Sequence, residues 1–459
     1  MKLKQIVITT GLALVAGQAL AAVTFPLATD IPEIFVSGSS AQQTSLGKIV
    51  EAMCQTSTIN VFYDNGATPG NNHRAYYCTT NTSFATPAPT IQNKKVLFNN
   101  RAQGGSAFGV NPVADKAYIQ KMIVDATHCT ATGNVYPAVP QYLCGVSGGT
   151  GAASGDAIPD GGVSDVEPGI FKGVNLPTAY PLVSVNLSTI AANTFTEAAV
   201  GYGIAATDNV LAVKPNLTRS QVTAMISKGG LTTWDTLAPT LGVGKPIVLC
   251  RRAPGSGSQA AMNAFFNGFP CVGGAATVPS DHGDNIATNG SAYTVIENAT
   301  TGAVINCMNT AYNGGSVTVT EPNPVPSLPP VSVTYTLPAG SAAIGIIGLE
   351  KTRGATDKWN FEAIDGTPAN MVNAANGSYD FYVEQTIQWR SDLVNTPAAP
   401  KADFLSKFKD FAGDPTILAG IPGIAALPTN GWNPNAYPAG NVMRGSRVGN
   451  TCSPSQLFY

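Results

Sequence analysis

The sequence predicts an α/β fold in which helices pack in layers on a mostly parallel sheet, within an exported chain that carries long loop insertions. Three observations predict it. Short apolar runs, each long enough for one buried strand, alternate with stretches of helical spacing. Hydrophobic residues make up 44% of the 459 positions and charged residues only 11%, which suits a large core and excludes a disordered chain. The 48 Gly and 33 Pro call for long and plentiful loops. The net charge is -2 and no polybasic stretch stands out, so neither nucleic acid nor an anionic membrane surface is expected as a partner.

In chain order, Glu33-Ile34-Phe35-Val36 reads as a buried strand that ends in Ser37-Gly38-Ser39-Ser40. Leu46, Ile49, Val50 and Met53 then mark one buried face of a helix over 41–53. Lys95-Val96-Leu97-Phe98 is the next strand and leads to the turn Gly104-Gly105-Ser106. Residues 129–162 read as an irregular insertion rich in Gly, Pro, Ala and Ser, after which Gly161 to Val166 resumes regular structure. Val200 to Leu211 is apolar with interspersed Gly. Thr218 is a good N-cap for a helix over 219–226, closed by Lys228-Gly229-Gly230. Lys245 to Cys250 is a buried strand, with a helix starting near Gln259. Val and Thr alternate across 311–340 around a Pro-rich centre, which predicts a β-hairpin excursion. Ala342 to Leu349 is a further buried strand.

The first residues have the three parts of a secretory signal: Lys2 and Lys4, an apolar run from Ile6 to Ala16, and Ala19-Leu20-Ala21 with small residues at the peptidase positions. Cleavage is expected after Ala21. The run is far shorter than the ~20 residues that span a bilayer, so no membrane insertion is expected after cleavage. No cysteine lies near the cut, which argues against a lipid anchor. The chain is expected in the periplasm or secreted.

Eight cysteines follow: Cys54, Cys78, Cys129, Cys144, Cys250, Cys271, Cys307 and Cys452. An even count in an exported chain predicts disulfides. No pair has CxxC spacing, and only His73, His128 and His282 could add imidazole, so neither a metal site nor another cofactor is expected. Eight cysteines allow on the order of a hundred pairings. Proximity in the chain favours Cys54–Cys78, Cys129–Cys144 and Cys250–Cys271, leaving Cys307 for Cys452.

The segment from Leu249 to Phe265 carries the most chemistry. A strand ends in Arg251-Arg252, then Ala253-Pro254-Gly255-Ser256-Gly257-Ser258 opens directly onto a helix. Free N–H groups at a helix tip beside a guanidinium fork make an anion cradle. No Lys follows the glycines, so it is not a nucleotide P-loop. The plain alternative is a capping turn whose arginines pair with surface carboxylates. Two other strand-to-helix turns, 37–40 and 104–106, share the pattern. Ser-rich turns at three strand ends would converge on one crevice of an α/β sheet, which favours a small oxyanion.

The pattern resembles the periplasmic phosphate-binding protein family of ABC transporters. Arg252 to Ser258 is similar to that family's Arg-Ser-Asp-Gly-Ser-Gly-Thr signature, Ser37 to Ala41 to its first glycine turn, and Val163-Ser164-Asp165 to the segment bearing its buried aspartate. Residues 218–235, ending Thr233-Trp234-Asp235, and Ala343-Ile344-Gly345-Ile346 also match in order. The resemblance implies a two-lobed type 2 periplasmic-binding-protein fold with disulfides and insertions: a leader over 1–21, one lobe from 22–203 plus 345–459, and a second from 204–344. It implies phosphate or a related oxyanion held by Ser39, Ser40, Ala41, Ser106, Asp165, Arg252, Ser256, Gly257 and Ser258, with no catalytic residue and an ABC permease as possible partner. Asp165 would accept the proton of monohydrogen phosphate and repel fully ionised sulfate. Two departures stand out. Pro254 replaces an aspartate that braces the arginine, which predicts a looser fork, and Gln103 or Ser106 stands where the family has a Gly/Ser run.

Two other readings compete. A secreted structural or adhesive protein reusing the fold would suit the low charge, the disulfides and the insertions. A phosphate-ester hydrolase would need a nucleophile with a base or a metal cluster, and three scattered histidines supply neither.

Overall fold

The computed structural model describes residues 23–39, 42–64, 72–135, 139–177, 186–272, 278–321, 331–394 and 399–458. The leader expected over 1–21, Ser40, Ala41 and the Pro-rich 322–330 lie outside the described residues. The protein is mixed α/β. Fourteen strands form one sheet. They are β1 (Ile34–Gly38), β2 (Asn60–Tyr63), β3 (His73–Thr79), β4 (Lys95–Arg101), β5 (Cys129–Val135), β6 (Pro140–Cys144) and β7 (Gly161–Ser164). Then come β8 (Thr194–Thr207), β9 (Ile247–Arg252), β10 (Thr294–Asn298), β11 (Ala342–Gly348), β12 (Trp359–Phe361), β13 (Tyr382–Trp389) and β14 (Ile424–Ala426). The spatial order is β10-β9-β11-β8-β13-β7-β1-β4-β3-β2-β6-β5, with β12 and β14 added on β8.

The sequence reading expects a mostly parallel sheet; the sheet is mixed. Parallel pairs surround β1 and β9, as strand–helix alternation requires. Antiparallel pairs arise where β8 and β13 run through the middle and where β2, β3 and β4 meander at one side. At fourteen residues β8 serves two neighbourhoods: Thr194 to Gly201 pair with β13, whereas Tyr202 to Ala206 pair with β11. The sheet thus has two halves that meet at Gly201-Tyr202. β12, and Ala363–Ile364 beside Asn216–Leu217, keep residues 359–364 with the second half.

Five helices of eight or more residues cover the sheet among the described residues: α1 (Gln43–Met53), α2 (Arg219–Ile226), α3 (Gly257–Asn267), α4 (Thr301–Asn313) and α5 (Ala399–Ala412). Leu46, Ile49, Val50 and Met53 of α1 are buried, as their spacing predicts. Thr218 caps α2 in a reciprocal box with Gln221. Residues 315–321 and 331–337 form the expected antiparallel hairpin. The stretch after Cys129 is more ordered than expected, because β5 and β6 pair across it. A core of Val110, Val166, Tyr202, Leu249, Phe265 and Phe381 draws on both halves of the sheet. No described helix is long and apolar enough to cross a membrane.

All eight cysteines are bonded. Cys54–Cys78 and Cys129–Cys144 pair as proximity suggests. The other two pairs do not: Cys250 bonds Cys307 and Cys271 bonds Cys452. The reason is the crossover. Helix α4 packs back on β9 and brings Cys307 onto Cys250, while Cys271, just past α3, meets the C-terminal tail.

Candidate functional site

Three strands end at one place. Gly38 closes β1 at φ +123, and a side chain there would run into the Val163 carbonyl, so the close approach of β1 to β7 requires glycine. That approach sets Ser39 beside Asp165, whose carboxylate accepts from the Ser39 hydroxyl and from Gln42 Nε2 at 3.3 Å. The backbone N–H of Asp165 donates to Ser106 Oγ at 3.1 Å. Asp165, Ser39 and Ser106 are all buried.

The turn after β9 comes from the second half of the sheet and packs directly on these groups. Ala107 N–H donates to the Gly255 carbonyl at 3.0 Å, and Gly255 N–H to the Asn175 carbonyl at 3.0 Å. Gly257, the first residue of α3, lies so close that a Cβ would sit 2.6 Å from Asp165 Oδ2. The N-cap residue Ser256 makes no side-chain capping bond to the first turn of α3. Its tip therefore faces Asp165 and Ser106 with its N–H groups in need of acceptors.

Arg252 ends β9 and is buried. Its Nε donates to the Asn298 carbonyl at 3.2 Å, Nη2 to the Ala299 carbonyl at 2.9 Å, and Nη1 to Thr301 Oγ1 at 3.1 Å and Ser258 Oγ at 3.4 Å. The looser fork expected from Pro254 is thus corrected: carbonyls and a hydroxyl from the β10–α4 turn brace the arginine instead. Of its five N–H groups, one on Nη2 has no partner among the described residues. Burial pulls the guanidinium below its ordinary value, and the charges of Asp165, Tyr202 and Glu350 oppose that shift. Ser256 Oγ and Ser258 Oγ sit 2.8 Å apart at the same tip.

Sequence reasoning missed two members of this cluster. Tyr202, at the point where β8 changes partner, is fully buried, and burial with the Asp165 and Glu350 charges holds its hydroxyl well above the usual range. Glu350 follows β11, and burial pushes its carboxyl up. Neither Glu350 oxygen hydrogen-bonds a described residue. The one available signal was position, since both residues flank the points where the chain passes between the halves. Of the expected residues, Ser39, Ser106, Asp165, Gly257, Arg252, Ser256 and Ser258 are brought together; Ser40 and Ala41 lie outside the described residues. Among the described residues, no group of His, Cys, Asp and Glu could hold a metal ion.

The arrangement joins one arginine, a helix tip and two carboxyl groups. Such a set favours an anion that carries a proton of its own.

No protein-family model matches the chain, and no curated protein matches it. Among solved structures it is similar to a putative phosphate ABC transporter substrate-binding protein with bound phosphate from Clostridium perfringens, at 13% identity over 84% of this chain and 96% of that one, with a TM-score of 0.40. It is also similar to a possible phosphate binding protein from Planctomyces limnophilus, at 9% identity over 84% and 90% with a TM-score of 0.36. The PstS of Borrelia burgdorferi is similar at 12% identity over 84% and 95%, with a TM-score of 0.35.

Proposed function

We propose that this chain is an exported solute-binding protein that takes phosphate, or a related protonated tetrahedral oxyanion, where the turns after β1, β4 and β9 meet. It binds its ligand without transforming it and serves ABC-type uptake. The lobes are 22–203 with 345–459, and 204–344, with residues 359–364 packed against the latter. One observation carries the reading: Arg252, 3% exposed and with one N–H unpartnered among the described residues, shares a buried charge cluster with Asp165 at the tip of α3. The arginine and the tip attract the dianion, and Asp165 accepts its proton.

Calorimetry tests this directly. Phosphate binds and sulfate does not compete. Arg252→Ala and Asp165→Asn each weaken phosphate by about 10- to 100-fold, the loss of one charged hydrogen bond. Absence of heat with phosphate and arsenate would overturn the reading.

A second reading is favoured by a separate observation. Cys271–Cys452 and the shared core tie α3 to both halves. A secreted structural or adhesive protein needs such rigidity, whereas a delivery protein must open by hinged movement. Small-angle scattering with and without phosphate separates the two: a change in radius of gyration supports uptake, and an invariant profile supports the structural role.

A further inference from the structure

The stretch Ala198 to Ala206 of β8 is apolar or glycine throughout but for Tyr202, and Glu197 just before it is the one charged residue of the strand. The register explains its place. Gln385 of β13 faces Ala198 while the next residue, Thr386, faces Thr196, so Glu197 is the extra residue of a β-bulge. A bulge re-aims a side chain out of the regular pleat. Here it aims a carboxyl into a cavity of about 520 Å³ walled by Phe195, Phe411 and Trp432. Glu197 is only 5% exposed, and its carboxyl lies in the cavity wall. Gly413 packs against Oε2, where a Cβ would come within 3.1 Å.

The other charges of the lining are already engaged. Lys407 and Lys409 both reach Asp410 at 3.1 Å, and Lys409 also lies 4.9 Å over the Phe195 ring. Asp414 accepts from Thr416. Two ammonium groups and two carboxylates cancel. Burial pushes Glu197 up to about 8, so at neutral pH it is mostly a neutral acid that can both donate and accept. A cationic ligand finds no net negative charge here and an anionic one no free cation.

We infer that this cavity, remote from Arg252 in the residues that line it, binds a neutral hydroxyl-rich ring such as a sugar residue. The Glu197 carboxyl engages adjacent hydroxyls, and Trp432 receives the C–H face of the ring. Aromatic walls suit such a face, and the Glu197 carboxyl in the cavity wall supplies the polar handle that fixes its orientation.

The test titrates the full disulfide-bonded chain with glucose, galactose and N-acetylglucosamine, and separately with choline, following tryptophan fluorescence and calorimetric heat. At least one sugar saturates. Glu197→Ala and Trp432→Ala each weaken it by roughly tenfold or more, while Glu197→Gln, which still donates and accepts, stays within about fivefold. Arg252→Ala leaves sugar binding unchanged, so this result is independent of the phosphate reading. Should Glu197→Ala not fold, the Glu197→Gln and Trp432→Ala pair carries the test. Saturation by choline alone, sugar binding indifferent to both positions, or no saturation by any sugar overturns the proposal.

Discussion

The two ends of α3 are held in opposite ways. At its N-terminus, Gly257 meets Asp165 and Ser106 across a polar contact of hydroxyls, a carboxylate and backbone amides. At its C-terminus, Phe265 and Phe266 pack on Phe381 with ring centroids 4.8 and 5.0 Å away, and Cys271, just beyond, is bonded to Cys452. All eleven residues of the helix are buried. The polar end is held by hydrogen bonds that water or a ligand could replace; the apolar and covalent end is not. On the proposed uptake role, a hinged opening would free the tip while the aromatic and disulfide contacts hold the base.

The largest effect should come from the base. Cys452→Ser releases a link between residues 181 apart in the chain, and chain entropy puts the loss at about 4–5 kcal/mol. Denaturant melts measure it. Phosphate affinity should change little, because the tip is untouched. A stability loss no larger than that of Cys129→Ser, whose loop spans 15 residues, would mean the base is not the fixed point.

At the tip, Gly257→Ala places a methyl against Ser106 and Asp165. Overpacking of this kind costs about 1–3 kcal/mol, and it should abolish phosphate heat while leaving the Cys271–Cys452 bond intact by mass spectrometry. Unaltered phosphate binding would show that the tip has room to spare, and the contrast between the two ends would fail.

The tip should also respond to pH. Glu350 lies above its ordinary value in the folded protein, so the unfolded chain ionises first. Its contribution is intact below the usual carboxylate range and is lost as pH rises towards the folded value, at about 1.4 kcal/mol per pH unit. Glu197 and Glu362, both raised to about 8 by burial, add slopes of the same sign. Glu350→Gln should therefore flatten part of the fall in stability as pH rises above the usual carboxylate range, read from melts across neutral pH. A slope identical to the parent's would remove Glu350 from the charge cluster.

Much of the tip was legible in the sequence because its grammar is local. A strand, a Gly/Ser turn and a helix follow one another within Ile247 to Phe265, and the structure keeps that order. The same local logic placed α1, α2 and the hairpin of 315–337. The base was not legible. Nothing near Cys271 announces Cys452, since a crossover places partners by the path of the sheet and not by spacing. Glu350, Tyr202 and the Glu197 bulge were hidden for a related reason. Each depends on where a neighbouring strand stops or slips register, and a single chain does not record that. The expectation of a mostly parallel sheet failed at the same place, because β8 and β13 lie antiparallel through the centre.

The smallest expected effect is the sharpest test of what holds the base. Arg219 stacks its guanidinium 3.9 Å over the Phe265 ring, donates from Nε to the Phe265 carbonyl at 3.1 Å and lies 3.7 Å from Asp380. It is half-exposed, so water already competes for its charge. A stacked cation at such a site contributes about 0.5–1 kcal/mol, and an exposed ion pair adds little. Arg219→Ala should thus lower stability by about 1 kcal/mol, with less difference in high salt, while the aromatic trio and the disulfide stay in place. Combined with Cys452→Ser, the two losses should add if the aromatic packing under Arg219 holds by itself. A loss well beyond additive would mean that guanidinium and disulfide together keep Phe265 on Phe381, and that the base is a cooperative clamp and not a simple tether.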